Sequence, residues 1–301
     1  MSDSNFDVIV IGTGIAGLAA AKVAAQKGLR TAGAEQLLFG GLVVNINELH
    51  GEIEGSGTDY ASNLMMETSD LGVESLNETV SAIAKNGDKF TVTTDAGTHS
   101  ARAVIIASGA RLKRLGVPGE MEFEHRGVSQ CADCDGPMYK DEEVVVVGGG
   151  DSALQEALVL AHFCKRVHLV HRGAKFSARQ SFIDAVAAQP VIQTLWNTTV
   201  DAIEGEDMVK KLRVKSADGK TSEIAASGVF AYVGLEPNVE CVPAEIKRDA
   251  TGRLTTDASL QTSLAGVFAA GAVRAGCGGN LIDAQKDGEA AGAAVAKLLG
   301  K

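Results

Sequence analysis

The run Val8-Ile9-Val10-Ile11-Gly12-Thr13-Gly14-Ile15-Ala16-Gly17 returns 136 residues later as Val144-Val145-Val146-Val147-Gly148-Gly149-Gly150-Asp151-Ser152-Ala153. Each copy is a short β-branched run, then Gly-x-Gly-x-x-Gly/Ala, then an Ala/Leu-rich stretch that reads as a helix. A second strand follows each helix, near Arg30–Glu35 and near Val167–His171. One glycine triplet alone is weak. A strand before it, a helix after it and repetition at matched spacing make a strong signal for two dinucleotide-binding βα units. The first glycine makes the tight turn and the second lets backbone approach a pyrophosphate. The third position lets helix and strand pack closely. The helix start offers unpaired N–H groups and the positive end of its dipole to the phosphates.

The expected fold class is therefore α/β, with two Rossmann-like, three-layer ββα domains. The copies differ where dinucleotides are told apart. Glu35 lies 23 residues after Gly12, where a carboxylate can take ribose hydroxyls. The repeat carries Glu35 onto His171, followed by Arg172, and a basic end suits a 2′-phosphate. The first copy thus reads as an FAD site and the second as a nicotinamide site, with Gly148, Gly150, Asp151 and Ser152 in its loop. Asp151 and Ser152 are equally read as N-capping residues. The strands Lys89–Thr94 and Thr98–Ile106 close the first unit. The tail carries Gly266-Val267-Phe268-Ala269-Ala270-Gly271 and an Ala-rich helix from about Asp283 to Leu299, which fits back onto it. A discontinuous FAD domain, residues 1–113 and 241–301, is expected to hold an inserted nicotinamide domain, residues 114–240.

Between the two fingerprints lies Cys131-Ala132-Asp133-Cys134, a pair able to cycle between dithiol and disulfide. Cys164, Cys241 and Cys277 complete an odd, sparse set that does not read as a secreted disulfide framework. A zinc site needs two further ligands at suitable spacing. Cys164, His162 and His168 fall on or near one helix and read as space-filling, so no metal ligands are assigned. The net charge of −10 argues against nucleic acid or an anionic membrane as partner. No apolar run approaches the ~18–20 residues that span a bilayer. The opening residues carry no basic region before an apolar stretch, so no signal peptide is read there. A reducing, cytoplasmic setting is the expectation.

With these pieces in place, the chain resembles the low-molecular-weight thioredoxin reductase family across essentially its whole length. The matching segments are Gly12 to Gly17, Phe39-Gly40-Gly41, Ile106-Ala107-Ser108-Gly109-Ala110, Cys131-Ala132-Asp133-Cys134-Asp135-Gly136, Gly148 to Ala153, and Gly266 to Gly271. The resemblance implies that NAD(P)H reduces FAD and that the flavin reduces the Cys131–Cys134 disulfide. It further implies that Cys134 faces the flavin, Cys131 attacks an external disulfide and Asp135 serves as the acid/base. Ile15, Ala16, Gly40, Gly41, Leu42, Ala107, Ser108, Gly109, Gly271, Ala272, Asn280 and Leu281 fall at its flavin-binding positions. The implied partner is a thioredoxin-like protein or a small disulfide or dithiol substrate. A homodimer and a rotating nicotinamide domain are carried over by the same analogy.

The chain departs from the family's pattern at both cofactor ends. Ala272 stands where the family has the aspartate of a Gly-Asp motif, and Gly279-Asn280-Leu281 where it has Arg-Gln-Ala. Leu42 replaces the glutamine of Gly-Gly-Gln, and an asparagine near the flavin edge is replaced around His50-Gly51. All four changes remove polar contacts, yet the pyrophosphate fingerprint and Glu35 are intact, so FAD is still expected. The NADPH box, His-Arg-Arg with an Arg four residues on, reads here His171-Arg172-Gly173-Ala174-Lys175-Phe176-Ser177. One of its three arginines is in register, and each lost Arg–phosphate contact costs ~1.5–3 kcal/mol. NADPH or NADH is the expected donor. Two other readings stay open at this point: a dithiol oxidase of the same fold that uses oxygen, and a flavin redox sensor without turnover.

Overall fold

The computed structural model describes residues 4–46, 49 and 53–301. The chain divides into two compact units, Met1–Arg111 with Glu236–Lys301, and Leu112–Leu235. The sequence places these divisions two and five residues later, in polar stretches. The crossing segments are instead short strands that pair with each other.

The first unit begins β1 (Ser4–Ile11), α1 (Ile15–Gln26), β2 (Thr31–Ala34), α2 (Gly57–Asp70) and β3 (Glu74–Leu76). It continues β4 (Val80–Asn86), β5 (Lys89–Thr94), β6 (Thr98–Ile106) and β7 (Ala110–Leu112). After β7 the second unit runs β8 (Val128–Ser129), α3 (Ala132–Asp135), β9 (Glu143–Gly148), α4 (Asp151–Ala161), β10 (Arg166–Val170) and α5 (Gln180–Ala187). It ends β11 (Ile192–Leu195), β12 (Thr198–Gly205), β13 (Val209–Ser216), β14 (Thr221–Ala225), β15 (Gly228–Tyr232) and β16 (Leu235–Pro237). The chain then returns to the first unit for β17 (Val267–Ala269) and α6 (Leu281–Leu298).

In the first unit the strands lie in the order β3-β2-β1-β6-β5-β4, with β17 also on β6. β1 is parallel to β2 and to β6, so its chain enters α1 at the carboxyl edge of the sheet. Both faces of β1 are buried, which is why it reads as an unbroken apolar run rather than an alternating one. Val8 and Val10 pack with Ala16, Ala20, Ala291 and Val295 on the helical face. Ile9 and Ile11 pack with Val92, Ile246 and Leu254 on the other. Each such side chain contributes ~1.5–3 kcal/mol on full burial. α6 lies close on α1 because Gly288 and Gly292, four apart, present no side chain there. A Cβ at Gly288 would stand 2.1 Å from the Ala16 carbonyl oxygen, and one at Gly292 2.6 Å from that of Ala20.

The second unit repeats this logic. A parallel sheet in the order β11-β10-β9-β15-β8 stands beside an antiparallel β12-β13-β14 sheet. Val144 and Val146 pack with Leu154, Ala157 and Leu160 of α4. Val145 and Val147 face Leu212, Val214 and Ile224 of the small sheet. The layers are therefore sheet, sheet and helix, as the repeat led one to expect.

Candidate cofactor and disulfide sites

The first fingerprint forms a cradle whose first and third glycines are required by contact. Gly12 has φ +92°, and a Cβ on it would meet the Ala107 oxygen at 2.5 Å. A Cβ on Gly17 would sit 1.9 Å from the Gly12 oxygen. Gly14 is the N-cap of α1, and the helix start has no side-chain cap. Gly40 forms a bridge with Gly14, and its N–H donates to the Thr13 oxygen at 2.8 Å. Gly41 follows at the start of a 3₁₀ turn, Gly41–Asn45, on which Leu42 is exposed.

Glu35 is the first residue beyond β2. Its Oε2 accepts from the Thr13 N–H at 3.1 Å and its Oε1 from the Leu37 N–H at 3.2 Å. Each oxygen keeps a further lone pair for a ribose hydroxyl. Ser108 Oγ donates to the Asn238 oxygen at 2.6 Å, and the Asn238 amide returns a bond to Ser108 O at 2.8 Å. This clamp holds Ala107-Ser108-Gly109 against Gly12. These residues together make a pyrophosphate-sized backbone cradle ending in a carboxylate, and FAD fits that donor set.

At the far side of the cradle, Gly271 packs on Ala16 and its N–H donates to Asp287 Oδ2 at 3.1 Å. Asp287 also takes both Nε and Nη2 of Arg274 at 2.6 Å, with both side chains mostly buried. Breaking such a pair from one side typically costs ~3–5 kcal/mol. Sequence reading overlooked this clamp; an Asp one residue before the contact glycine Gly288 was its sole signal. Ala272 lies in the same turn and offers no polar group. Asn280 spends its side chain on capping α6, accepting from the Asp283 N–H at 2.9 Å and donating to Asp283 Oδ2 at 2.7 Å. That cap starts the helix at Leu281, two residues before the expected Asp283. Leu281 packs in the cluster that holds Ile15 and Leu18. His50 and Gly51 lie outside the described residues.

The second fingerprint has the same cradle with a different far end. A Cβ on Gly148 would meet the Tyr232 oxygen at 2.4 Å, and Gly150 caps α4 without a side-chain bond. Asp151 is turned toward Arg179, accepting from its backbone N–H and from Nε, both at 2.7 Å. Ser152 is exposed on the first turn of α4. His171 is the first residue past β10, and its ring nitrogens face Gly148 O at 3.1 Å and Lys175 O at 2.9 Å. Phe176 and Trp196 pack around that ring. Ser177, where the resemblance expects an arginine, bonds the Gly149 oxygen through Oγ at 3.2 Å. A nicotinamide dinucleotide fits, and the charged ends of Arg172 and Lys175, both exposed, carry no hydrogen bond or ion pair among the described residues.

Cys131 and Cys134 are joined as a disulfide across the single turn of α3, with Cα atoms 5.3 Å apart. The Cys134 N–H points at Cys131 Sγ, 3.2 Å away. Ser129 Oγ donates to Asp135 Oδ2 at 2.6 Å, and the Asp135 N–H donates to the Cys131 oxygen at 3.1 Å. Below the turn lies Glu156 of α4, which the sequence reading missed. Its Oε2 accepts from the Ala132 N–H at 3.0 Å and from the Tyr232 hydroxyl at 3.2 Å. Burial raises the Glu156 carboxyl above the usual carboxylate range. Burial, with the Glu156 charge beside it, also pushes the Tyr232 phenol well up. The signal in the sequence was an acid three residues after Ala153, on a turn whose neighbours Leu154 and Ala157 are core.

The remaining cysteines are free thiols. Cys164 is buried, and burial together with the Glu142 charge pushes it up to about 11. Burial also raises Cys241 and Cys277. Among the described residues no three His, Cys, Asp or Glu side chains gather as a metal cage. No helix among them is long and apolar enough to cross a membrane.

Residues 6–296 match the pyridine nucleotide-disulphide oxidoreductase family. The thioredoxin reductase of Treponema pallidum (strain Nichols) is 38% identical over 302 residues, covering 99% of this chain and 98% of that protein. A thioredoxin reductase of Listeria innocua is 37% identical over 292 residues, 95% and 92% of the two chains. The solved thioredoxin reductase of Lactococcus lactis matches with a TM-score of 0.94 at 33% identity, over 98% of this chain and 99% of that one. That of T. acidophilum matches with a TM-score of 0.92 at 29% identity, over 99% of each. The chain belongs to the pyridine nucleotide-disulphide oxidoreductase family and, within it, to the low-molecular-weight thioredoxin reductases.

Proposed function

We propose that the disulfide this protein reduces is that of a thioredoxin-like partner, and that Cys131, Cys134 and Asp135 carry the exchange. As a family member the protein is a flavin-dependent NAD(P)H:disulfide oxidoreductase. FAD held in the first cradle would supply the two-electron chemistry that links a nicotinamide hydride to the Cys131–Cys134 bond. Gly12, Gly14, Gly17, Gly40 and Gly41 hold its pyrophosphate, and Glu35 takes the ribose hydroxyls. Gly148, Gly150 and the start of α4 hold the nicotinamide dinucleotide, with Arg172 toward any 2′-phosphate.

Once reduced, Cys131 attacks the partner's disulfide as a thiolate and expels one partner sulfur. Cys134 then attacks Cys131 Sγ, releasing the second partner sulfur and restoring the intramolecular bond. The Cys134 N–H directed at Cys131 Sγ favours the thiolate on that sulfur. Asp135 takes the proton of Cys131 and passes it to the leaving sulfur. The observation that carries this reading is the disulfide on a one-turn helix with Asp135 hydrogen-bonded beside it. A cytoplasmic homodimer is the setting we carry over from the family.

The test is anaerobic bleaching of the flavin by NADPH and by NADH, followed by oxidised thioredoxin. Bleaching that thioredoxin reverses supports the reading. Peroxide formation from added dithiols without bleaching by either nucleotide replaces it with an oxidase. No bleaching and no dithiol turnover replaces it with a sensor.

A further inference from the structure

Glu156 is a half-buried carboxylate that the proposed exchange does not use. It lies 24 residues from the turn it holds, on the helix that opens the nicotinamide fingerprint. One oxygen takes two donors, the peptide N–H of Ala132, between the two cysteines, and the Tyr232 hydroxyl of β15. From α3, Asp133 adds a second negative charge nearby, and Asp135 a third on the same turn. No lysine, arginine or histidine is hydrogen-bonded to Glu156, Asp133 or Asp135 among the described residues. The redox pair therefore sits on an acidic turn, and Glu156 is the member of it anchored to backbone.

We infer that Glu156 is a positioning residue of the redox pair, gripping the turn between the sulfurs and using its charge to keep reduced Cys131 a protonated thiol. The inference rests on the reading of Cys131–Cys134 as a pair that is reduced in function. Breaking the S–S bond with two electrons leaves two sulfurs that take up two protons. A fixed carboxylate one peptide away disfavours the anionic sulfur. The Glu156 charge thus opposes the thiolate that the Cys134 N–H favours, and reduced Cys131 keeps its proton until Asp135 and an approaching disulfide draw on it. Burial itself shifts Glu156 toward its neutral form, so the restraint on the thiolate weakens as the pH falls. Below the carboxyl's raised titration range the Glu156 charge is gone, and above it the charge is complete.

The test uses the flavin-loaded protein reduced by dithiothreitol, with no nicotinamide or thioredoxin present. The rate of iodoacetamide labelling at Cys131 is followed by peptide mass against pH. Glu156→Gln keeps an amide oxygen for the Ala132 N–H but removes the charge. It should lower the midpoint of the Cys131 profile by about one pH unit, giving roughly tenfold more thiolate at a fixed pH below both midpoints. Its equilibrium with a glutathione buffer should move toward the dithiol at pH values where that thiolate is populated. Glu156→Leu should lower the midpoint too and also loosen the turn, seen as faster amide exchange at Ala132. An E156Q midpoint unmoved or raised, with native circular dichroism and full flavin, overturns the inference. Failure of the wild type to reduce thioredoxin bears on the proposed function alone, because no step of this measurement uses that partner.

Discussion

The hydroxyl of Ser129 donates to the carboxylate of Asp135 at 2.6 Å, one turn from the disulfide. The bond fixes a flexible acid in place, because Ser129 is itself buried at the end of β8. It also ties the acid to the redox turn, since the same Ser129 Oγ accepts from the Cys131 N–H at 3.1 Å.

Asp135→Asn should retain the Ser129 bond while removing the group that transfers a proton. A positioned general acid is worth ~10²–10⁴-fold, so thioredoxin reduction should fall by about 10²-fold while flavin reduction by the nucleotide keeps its rate. Ser129→Ala should cost roughly tenfold, the scale of one hydrogen bond to a charged group. Stopped-flow traces that separate the two half-reactions check both. Equal slowing of the halves in D135N would remove Asp135 from the exchange.

Ser177 stands where the family's phosphate box carries an arginine, with its N–H on the Gly149 oxygen at 2.8 Å. Ser177→Arg keeps that backbone bond and adds a guanidinium beside the fingerprint. One Arg–phosphate contact is worth ~1.5–3 kcal/mol, so the Kd for NADPH should fall about 10- to 100-fold. The Kd for NADH should stay within about twofold. Fluorescence titration of both nucleotides measures the ratio.

Gly288 has the Ala16 carbonyl where a Cβ would go, 2.1 Å away. Backbone cannot swing aside as a side-chain tip can, so Gly288→Ala must push α6 off α1. Overpacking of this kind costs ~1–3 kcal/mol, a Tm drop of about 2–4 °C per kcal/mol in a unit of this size. Scanning calorimetry should show it, with weaker flavin retention because α1 begins at the cradle. An unchanged Tm would mean that the two helices are not in close contact.

Cys164 is a thiol raised from an ordinary 9.0 to about 11 by burial and by Glu142. The folded state therefore holds its proton across a range where the unfolded chain gives it up, and stability falls as pH rises from about 9 to 11. The loss is on the order of 1–2 kcal/mol for one buried thiol. Below pH 9 the group contributes no pH dependence. Cys164→Ala should flatten the decline in urea-unfolding stability between pH 9 and 11 without changing its slope nearer neutrality. A decline that survives in C164A would assign it to other groups.

Much of the fold is legible in the chain because it is written locally. Val8–Ile11 and Val144–Val147 are apolar on consecutive residues, which fits strands buried on both faces, and the glycines after them leave room for one kind of turn. Glu35 and His171 each fall on the first residue past a strand, as the repeat implied. The Asn280 cap and the clamp of Ser108 by Asn238 were less visible. Asn-x-x-Asp is a common string, and a residue 130 positions away has no local signature.

The sequence by itself determined the two βα cradles, their order and the presence of a dithiol between them, since each depends on neighbours within one turn of helix or strand. Only the tertiary structure decided which side chains serve them. Asp151 is drawn to Arg179, Asp287 to Arg274 and Gly271, and Glu156 to the peptide between the cysteines. Asp287 and Glu156 are charges whose burial requires a partner, and for all three the partner is chosen by how sheet, helix and loop pack rather than by spacing along the chain.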